Sequence, residues 1–197
     1  MSTEGAHNKD DNIHQNKYYF KKGIAMCHIK KFSKENGSIE HEEGSVVYCK
    51  VTPVFSEGEP PVGYQPKGSC FLYEDYSAQL KPGDIFYEIV RVEVKENARR
   101  KGVGTRLVKE FFAECNPTSV VLKAGIIYED LYEQLCSENR LTDYIYKNIV
   151  PFYESLGFTD VNHTTFNFEE SVPMLYPKEA AMEAKRLSDE FERNKSL

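Results

Sequence analysis

The stretch "IFYEIVRVEVKENARRKGVGTRLVKEFFAECNP", residues 85–117, decides the fold. Its first ten residues are mostly β-branched and aromatic, which is the composition of a strand, and the pattern extends that strand over 84–95. Basic residues Arg99, Arg100 and Lys101 follow, then Gly102 and Gly104. Beyond them Leu107, Val108, Phe111, Phe112 and Cys115 recur at helical spacing, with Arg106, Lys109, Glu110 and Glu114 on the opposite face. Asn116-Pro117 ends the helix. The segment therefore reads as strand, glycine turn, helix.

Such a turn suits an anion. The first N–H groups of a helix have no intrahelical acceptor and carry the positive end of its dipole. A phosphate placed there takes several of them at once. Gly102 and Gly104 keep side chains away from the backbone, and Arg99, Arg100, Lys101 and Arg106 add charge. The Arg-x-x-Gly-x-Gly spacing matches neither the dinucleotide-binding nor the P-loop pattern.

Working outward, residues 119–124 read as a short buried strand of the parallel type. Tyr128, Leu131, Tyr132, Leu135 and Cys136 mark a second amphipathic helix, and Ile145, Ile149, Phe152 and Leu156 a third. Gly157 suits the C′ position of that third helix, and Pro151 inside it predicts a kink or a new start. Residues 18–31 and 45–51 read as strands, the latter closed by Pro53, while 32–44 reads as a turn around Asn36-Gly37. Residues 53–68 are a proline- and glycine-rich loop; 68–74 and 163–168 are further strands. The polar residues 1–16 read as a disordered tail and 177–197 as a C-terminal helix, a candidate homodimer contact.

Composition narrows the function. A net charge of −6 excludes a general nucleic-acid binder and favours a cationic small molecule or a basic partner. The five cysteines, Cys27, Cys49, Cys70, Cys115 and Cys136, have no metal-ligand spacing and no secretory signal before them. That reads as reduced thiols in a cytoplasmic protein that needs no metal. No apolar run approaches the ~20 residues of a membrane span.

"VEVKENARRKGVGTRLVKEFF" together with "IVPFYESLGF" resembles the GNAT superfamily of acyl-CoA-dependent N-acetyltransferases, over roughly residues 84–168. The resemblance implies an α+β (α/β-type) fold over residues 17–176, with a mixed central sheet splayed at the cofactor strand and covered by helices. It implies acetyl-CoA as co-substrate and a primary amine as acceptor, joined in a ternary complex. The backbone of Val92, Glu93 and Val94 would take the pantetheine arm as an added strand. The loop Arg99, Arg100, Lys101, Gly102, Val103, Gly104 and Thr105 would hold the pyrophosphate. Tyr146 stands where the family often has an asparagine, seven residues before its tyrosine, while Asn148 is out of register. The family usually carries two helices between its first two strands; 32–44 is too short for them, and 125–144 looks like an insertion from which the acceptor pocket would be rebuilt.

The same resemblance gives Tyr153 the place of the general acid. A phenol of pKa ~10 protonating a thiolate of pKa ~8.5 works uphill by about 2 kcal/mol, so hydrogen bonding without full transfer suffices. Glu88 is the first candidate for the base, at the spacing before Arg99 used by the histone-acetylating branch. It shares strand parity with Val90, Val92 and Val94. Glu93 is the second choice, and a water chain the third. The rival reading is an acyl-CoA-binding sensor or interaction module of the same fold, without turnover. A toxin-like enzyme acting on aminoacyl-tRNA conflicts with the acidic balance.

Overall fold

A computed structural model of the chain describes residues 19–22, 25–58, 80–160, 171–177, 179 and 182. The strands are β1 (Tyr19–Lys22), β2 (Ala25–His41), β3 (Gly44–Glu57), β4 (Phe86–Val94), β5 (Val120–Gly125), β6 (Thr159–Asp160) and β7 (Ser171–Tyr176). They form one sheet of order β1-β2-β3-β4-β5-β7-β6. Only β4 and β5 run parallel; the other neighbours are antiparallel. The helices are α1 (Val103–Cys115), α2 (Glu129–Ser137), α3 (Leu141–Tyr144) and α4 (Val150–Glu154), with a 3₁₀ turn at Glu96–Ala98. The fold is the mixed α+β sheet expected of a GNAT domain.

The helix after the glycine turn forms as its pattern predicts. Val103, Leu107, Val108 and Phe111 are buried, and Asn116 closes it in the left-handed region at φ 42° with its N–H on the Phe112 carbonyl. Phe111 anchors it to the sheet, with ring centroids 5.0 Å from Tyr48 on β3 and 5.7 Å from Tyr87 on β4. These aromatics join Val46, Ile89, Val120, Leu122 and Tyr153 in the main core on that face. The opposite face carries a smaller core of Ile29, Phe32, Cys49, Val51, Phe86, Val121 and Leu175.

The structure departs from the expectation at three places. Residues 32–41 are not a turn but the second half of β2, and the reversal falls at Glu42-Glu43. Gly37 pairs with Tyr48, and a Cβ on it would lie 2.5 Å from the Tyr48 ring. The glycine there makes room for a cross-strand aromatic. Pro53 does not close β3, which runs on to Glu57; pairing with β4 has already stopped at Val51, so the missing N–H costs no bond on that side. The third helix contains a π-helical turn, Ile145–Ile149, between α3 and α4. Its buried positions, Leu141, Ile145, Val150 and Tyr153, are spaced by four, five and three. The step of five is what a wider turn supplies, and it comes just before Pro151, which cannot donate to the preceding turn. Gly157 follows at φ 91°. The strands read at 68–74 and 163–168, the tail at 1–16 and all but isolated positions of the C-terminal helix lie outside the described residues.

Phe111→Ala should cost about 3–5 kcal/mol, because a large fully buried ring is removed from between two packed layers. Urea denaturation of the variant against the parent measures it; a loss under 1 kcal/mol would contradict the packing described.

Candidate active site

β4 and β5 stay paired for only three positions, Tyr87↔Val120, Glu88↔Val121 and Ile89↔Leu122. Beyond them β5 continues to Gly125 along β7, while β4 continues to Val94 along β3. The two strands therefore diverge, and a cleft of about 700 Å³ opens between them. Val90, Val92, Val94, Ile126, Tyr128, Phe152 and Tyr153 are among its walls, and the turn before α1 forms one end.

A β-bulge sits at the point of divergence. Tyr48 pairs with Ile89 but Val47 pairs with Arg91, so Val90 is an extra residue on β4. The extra residue exchanges the faces. Tyr87, Ile89 and, past the bulge, Val92 all pack on the α1 side. Glu88 lies opposite Cys49, on the other face, and does not line the cleft. The parity that grouped Glu88 with Val92 and Val94 is broken by the bulge. The Glu88 carboxylate accepts a hydrogen bond from Lys34 Nζ at 2.9 Å. Glu93 also lies outside the cleft lining, with its carboxylate 3.6 Å from Arg91.

At the glycine turn the two glycines have different reasons. Gly102 is the N-cap of α1 at φ 77°, a conformation that favours glycine, and no atom would meet a Cβ there. Gly104 is a close-approach glycine: its Cβ would lie 3.3 Å from Phe152 and 3.6 Å from Val94. Arg100 is also left-handed, at φ 60°. Among the described residues no side chain caps α1. Among the described residues no acceptor takes the N–H groups of Val103, Gly104 or Thr105. Arg99, Arg100, Gly102, Val103, Gly104 and Thr105 all line the cleft, whereas Lys101 is exposed outside it. Arg106 turns away to pair with Glu43 at the β2–β3 hairpin tip.

Tyr153 lies in the cleft wall, only 8% exposed, and its hydroxyl has no hydrogen-bond partner among the described residues. Burial pushes its pKa up to about 12. A buried phenol of that kind is an orphaned donor. Tyr146 does not join it. The π turn carries Tyr146 out of the cleft, where its hydroxyl donates to Asp160 at 3.2 Å. The same turn brings Asn148 into the lining, with its side-chain amide on the Tyr144 carbonyl. The resemblance pointed to Tyr146 by its distance from Tyr153; the π turn changes which residue faces the cleft at that distance, and Pro151 was the available signal.

Tyr128 was read only as a helix residue, yet it spans the opening. Its hydroxyl donates to the Val94 carbonyl at 2.9 Å. Arg99 Nε donates to the same oxygen at 3.2 Å, and the guanidinium lies 4.1 Å over the Tyr128 ring. The acids of α2, Glu129, Asp130 and Glu133, do not line the cleft. Among the described residues no group of three or more potential metal ligands comes together, and no helix is long and apolar enough to cross a membrane.

Residues 65–160 match the family model described as the acetyltransferase (GNAT) domain. This part of the chain belongs to the GNAT acetyltransferase family. A crystal structure of "histone acetyltransferase HPA2 and related acetyltransferase" from Corynebacterium glutamicum ATCC 13032 aligns at 15% identity and a TM-score of 0.34, over 78% of this chain and 64% of that one. The chain thus spans less than two thirds of that protein, and a likeness so loose decides nothing about chemistry. No curated protein matches significantly.

Two outcomes are expected. Gly102→Glu should abolish measurable acetyl-CoA binding by calorimetry while the circular dichroism stays close to that of the parent, since a Cβ there meets no described atom and the left-handed backbone costs only about 1–2 kcal/mol; unchanged affinity would remove the turn from the site. Tyr153 should also tie stability to alkaline pH. Below pH ~10 the phenol is protonated in folded and unfolded chains alike. As pH rises from there to about 12 only the unfolded chain ionises, so up to ~3 kcal/mol of stability is lost. Tyr48, shifted up chiefly by its hydrogen bond with Cys115, and Tyr87 and Tyr146, shifted up by burial, act the same way. The Tyr153 share is therefore the alkaline loss that Tyr153→Phe no longer shows in denaturation curves at pH 9 and 11.5.

Proposed function

We propose that the protein is an N-acetyltransferase that moves an acetyl group from acetyl-CoA to a primary amine by direct attack in a ternary complex. The observation that carries this reading is the opening between β4 and β5, with uncapped helix amides at one end and an orphaned phenol in its wall. The residues fit the co-substrate. A diphosphate would take the free N–H groups of Val103, Gly104 and Thr105, with Arg99, Arg100 and the Gly102 turn around it. Val92 and its neighbours would pair with the pantetheine amides where β5 has departed. Since the Val94 carbonyl already accepts from Tyr128 and Arg99, that pairing would centre on the residues before it.

Tyr153 would donate its hydroxyl hydrogen to the sulfur of the departing thiolate. At a pKa of about 12, full proton transfer to a thiolate of pKa ~8.5 is uphill by ~5 kcal/mol. Tyr153 therefore acts as a hydrogen-bond donor that stabilises developing charge and stays protonated. No carboxylate among the described residues lines the cleft, and Glu88 is engaged by Lys34 on the opposite sheet face. Proton removal from the amine is assigned to water in the cleft, which would pass the proton to bulk solvent without a dedicated carboxylate. The same absence favours the second reading, a module that binds acyl-CoA without turnover. The free thiols of Cys27, Cys49, Cys115 and Cys136 support a cytoplasmic setting.

Thiol release from acetyl-CoA in the presence of primary amines tests the proposal. Tyr153→Phe should lower kcat about 10²-fold with acetyl-CoA affinity kept within about two-fold. Equal losses in both would assign Tyr153 to packing, and tight binding with no release for any amine would favour the sensor.

A further inference from the structure

We infer that the acceptor amine carries an anionic group, a carboxylate or a phosphate, close to the nitrogen that is acetylated. This rests on the N-acetyltransferase reading and deepens it by naming the acceptor class. The charged residues lining the cleft are Arg91, Arg99, Arg100, Lys123 and Lys147, and no carboxylate among the described residues joins them. In a chain of net charge −6 that is a local reversal of sign.

The cations fall into groups. Arg99 and Arg100 stand at the glycine turn, where the co-substrate's phosphates would lie. Lys147 is paired with Asp143 one helical turn away. Arg91 and Lys123 are elsewhere. Val92 packs on the α1 face, so Arg91 beside it projects from the opposite one. Leu122 and Ala124 also pack on the α1 face, so Lys123 between them projects with Arg91. Both follow directly on the last shared rung, Ile89↔Leu122 and its bulge. They therefore flank the cleft where it opens away from the co-substrate, and an acceptor reaching the thioester from that side passes between them.

Arg91 carries most of the weight, since Lys123 has a further contact within the protein. Its one ion pair among the described residues, with Glu93, is 3.6 Å long and half exposed, too weak to keep it from a better partner. A guanidinium in that position can grip a carboxylate or phosphate with two parallel hydrogen bonds. The neighbouring walls, Val90, Ile126 and Ile127, are apolar and strengthen the field at the opening. A diamine or polyamine would bring a second positive charge to this edge and be repelled, contrary to what the overall acidity suggests.

The experiment has two stages. Calorimetry with acetyl-CoA comes first; failure to bind would take down the acetyltransferase reading itself. With binding established, CoA release is compared for three sets of primary amines. The anionic set is β-alanine, O-phosphoethanolamine and aspartate-rich tripeptides, the neutral set β-alaninamide and ethanolamine, and the cationic set 1,3-diaminopropane and lysine-rich tripeptides. The best anionic acceptor should exceed the best cationic one at least ten-fold in kcat/KM, and the margin should shrink at high salt. Arg91→Glu should erase or reverse that order with acetyl-CoA affinity within two-fold of the parent. Arg91→Gln is the milder variant should the first fail to fold, and should reduce the margin several-fold. Equal or better use of the cationic set overturns the inference. So does release from none of the sets by a protein that binds acetyl-CoA, or an unchanged order in the Arg91 variants.

Discussion

The structure depends on a ladder that stops. β4 and β5 share three rungs and then part, although both strands continue. Parallel strands buried between other elements normally keep pairing, because unpaired backbone groups away from water are costly. Here each strand keeps its outer partner, β3 for β4 and β7 for β5, so the loss falls only on the edges that face each other. The bulge at Val90 turns β4 away at the first unpaired position, and the Tyr128 hydroxyl and Arg99 together take up the carbonyl at its far end. α1 can then bring its N-terminus to the gap, because Gly104 lets it lie against Phe152. The cleft is a consequence of these arrangements, and any ligand that supplies amide groups along β4 would restore what the sheet has given up.

The basic residues around the glycine turn divide their work. Arg106 goes to Glu43 and, one helical turn on, Glu110 meets the His41 ring at 2.5 Å, so the far tip of the β2–β3 hairpin is held against α1 by an ion pair and a hydrogen bond. Arg99 braces the end of β4, and Arg100 stays at the cleft. A cluster that looks uniform in sequence is thus partly structural. Under the proposed function the dipole and free amides of α1 would be the fixed part of an anion site, and the side chains would adjust the charge around them.

How much of this was legible in the sequence depends on whether the information was local. The α1 helix, its buried face and its Asn116 stop are set by residues close together in the chain, and the reading matched. The divergence of β4 followed from the family resemblance and is present. The two misplacements within the candidate site share one cause: a single extra residue in a regular element. The Val90 bulge reverses which β4 residues share a face, and the π turn before Pro151 exchanges Tyr146 for Asn148. Periodicity assumes a constant repeat, so it fails downstream of each insertion. Gly37 misled for a related reason. Asn36-Gly37 has turn chemistry locally, and only the Tyr48 ring across the hairpin shows why a strand needs a glycine there.

The absence of a lining carboxylate and the presence of Arg91 and Lys123 belong to the same argument. An alkylammonium of pKa ~10.4 is neutral in about one molecule in 2,500 at pH 7, whereas an α-amino group of pKa ~7.8 is neutral in about one in seven. A cleft without a strong base therefore suits the second kind of nucleophile. Cations near the amine push the same way, since positive charge nearby disfavours the ammonium form. They would reduce binding of the acceptor as well, unless it brings its own negative charge. Under the proposed reading an anionic group near the amine would settle that conflict: paired with Arg91 its charge would no longer favour the ammonium, and the nitrogen would lie among Val90, Ile126 and Tyr153, apolar surroundings that favour its neutral, reactive form.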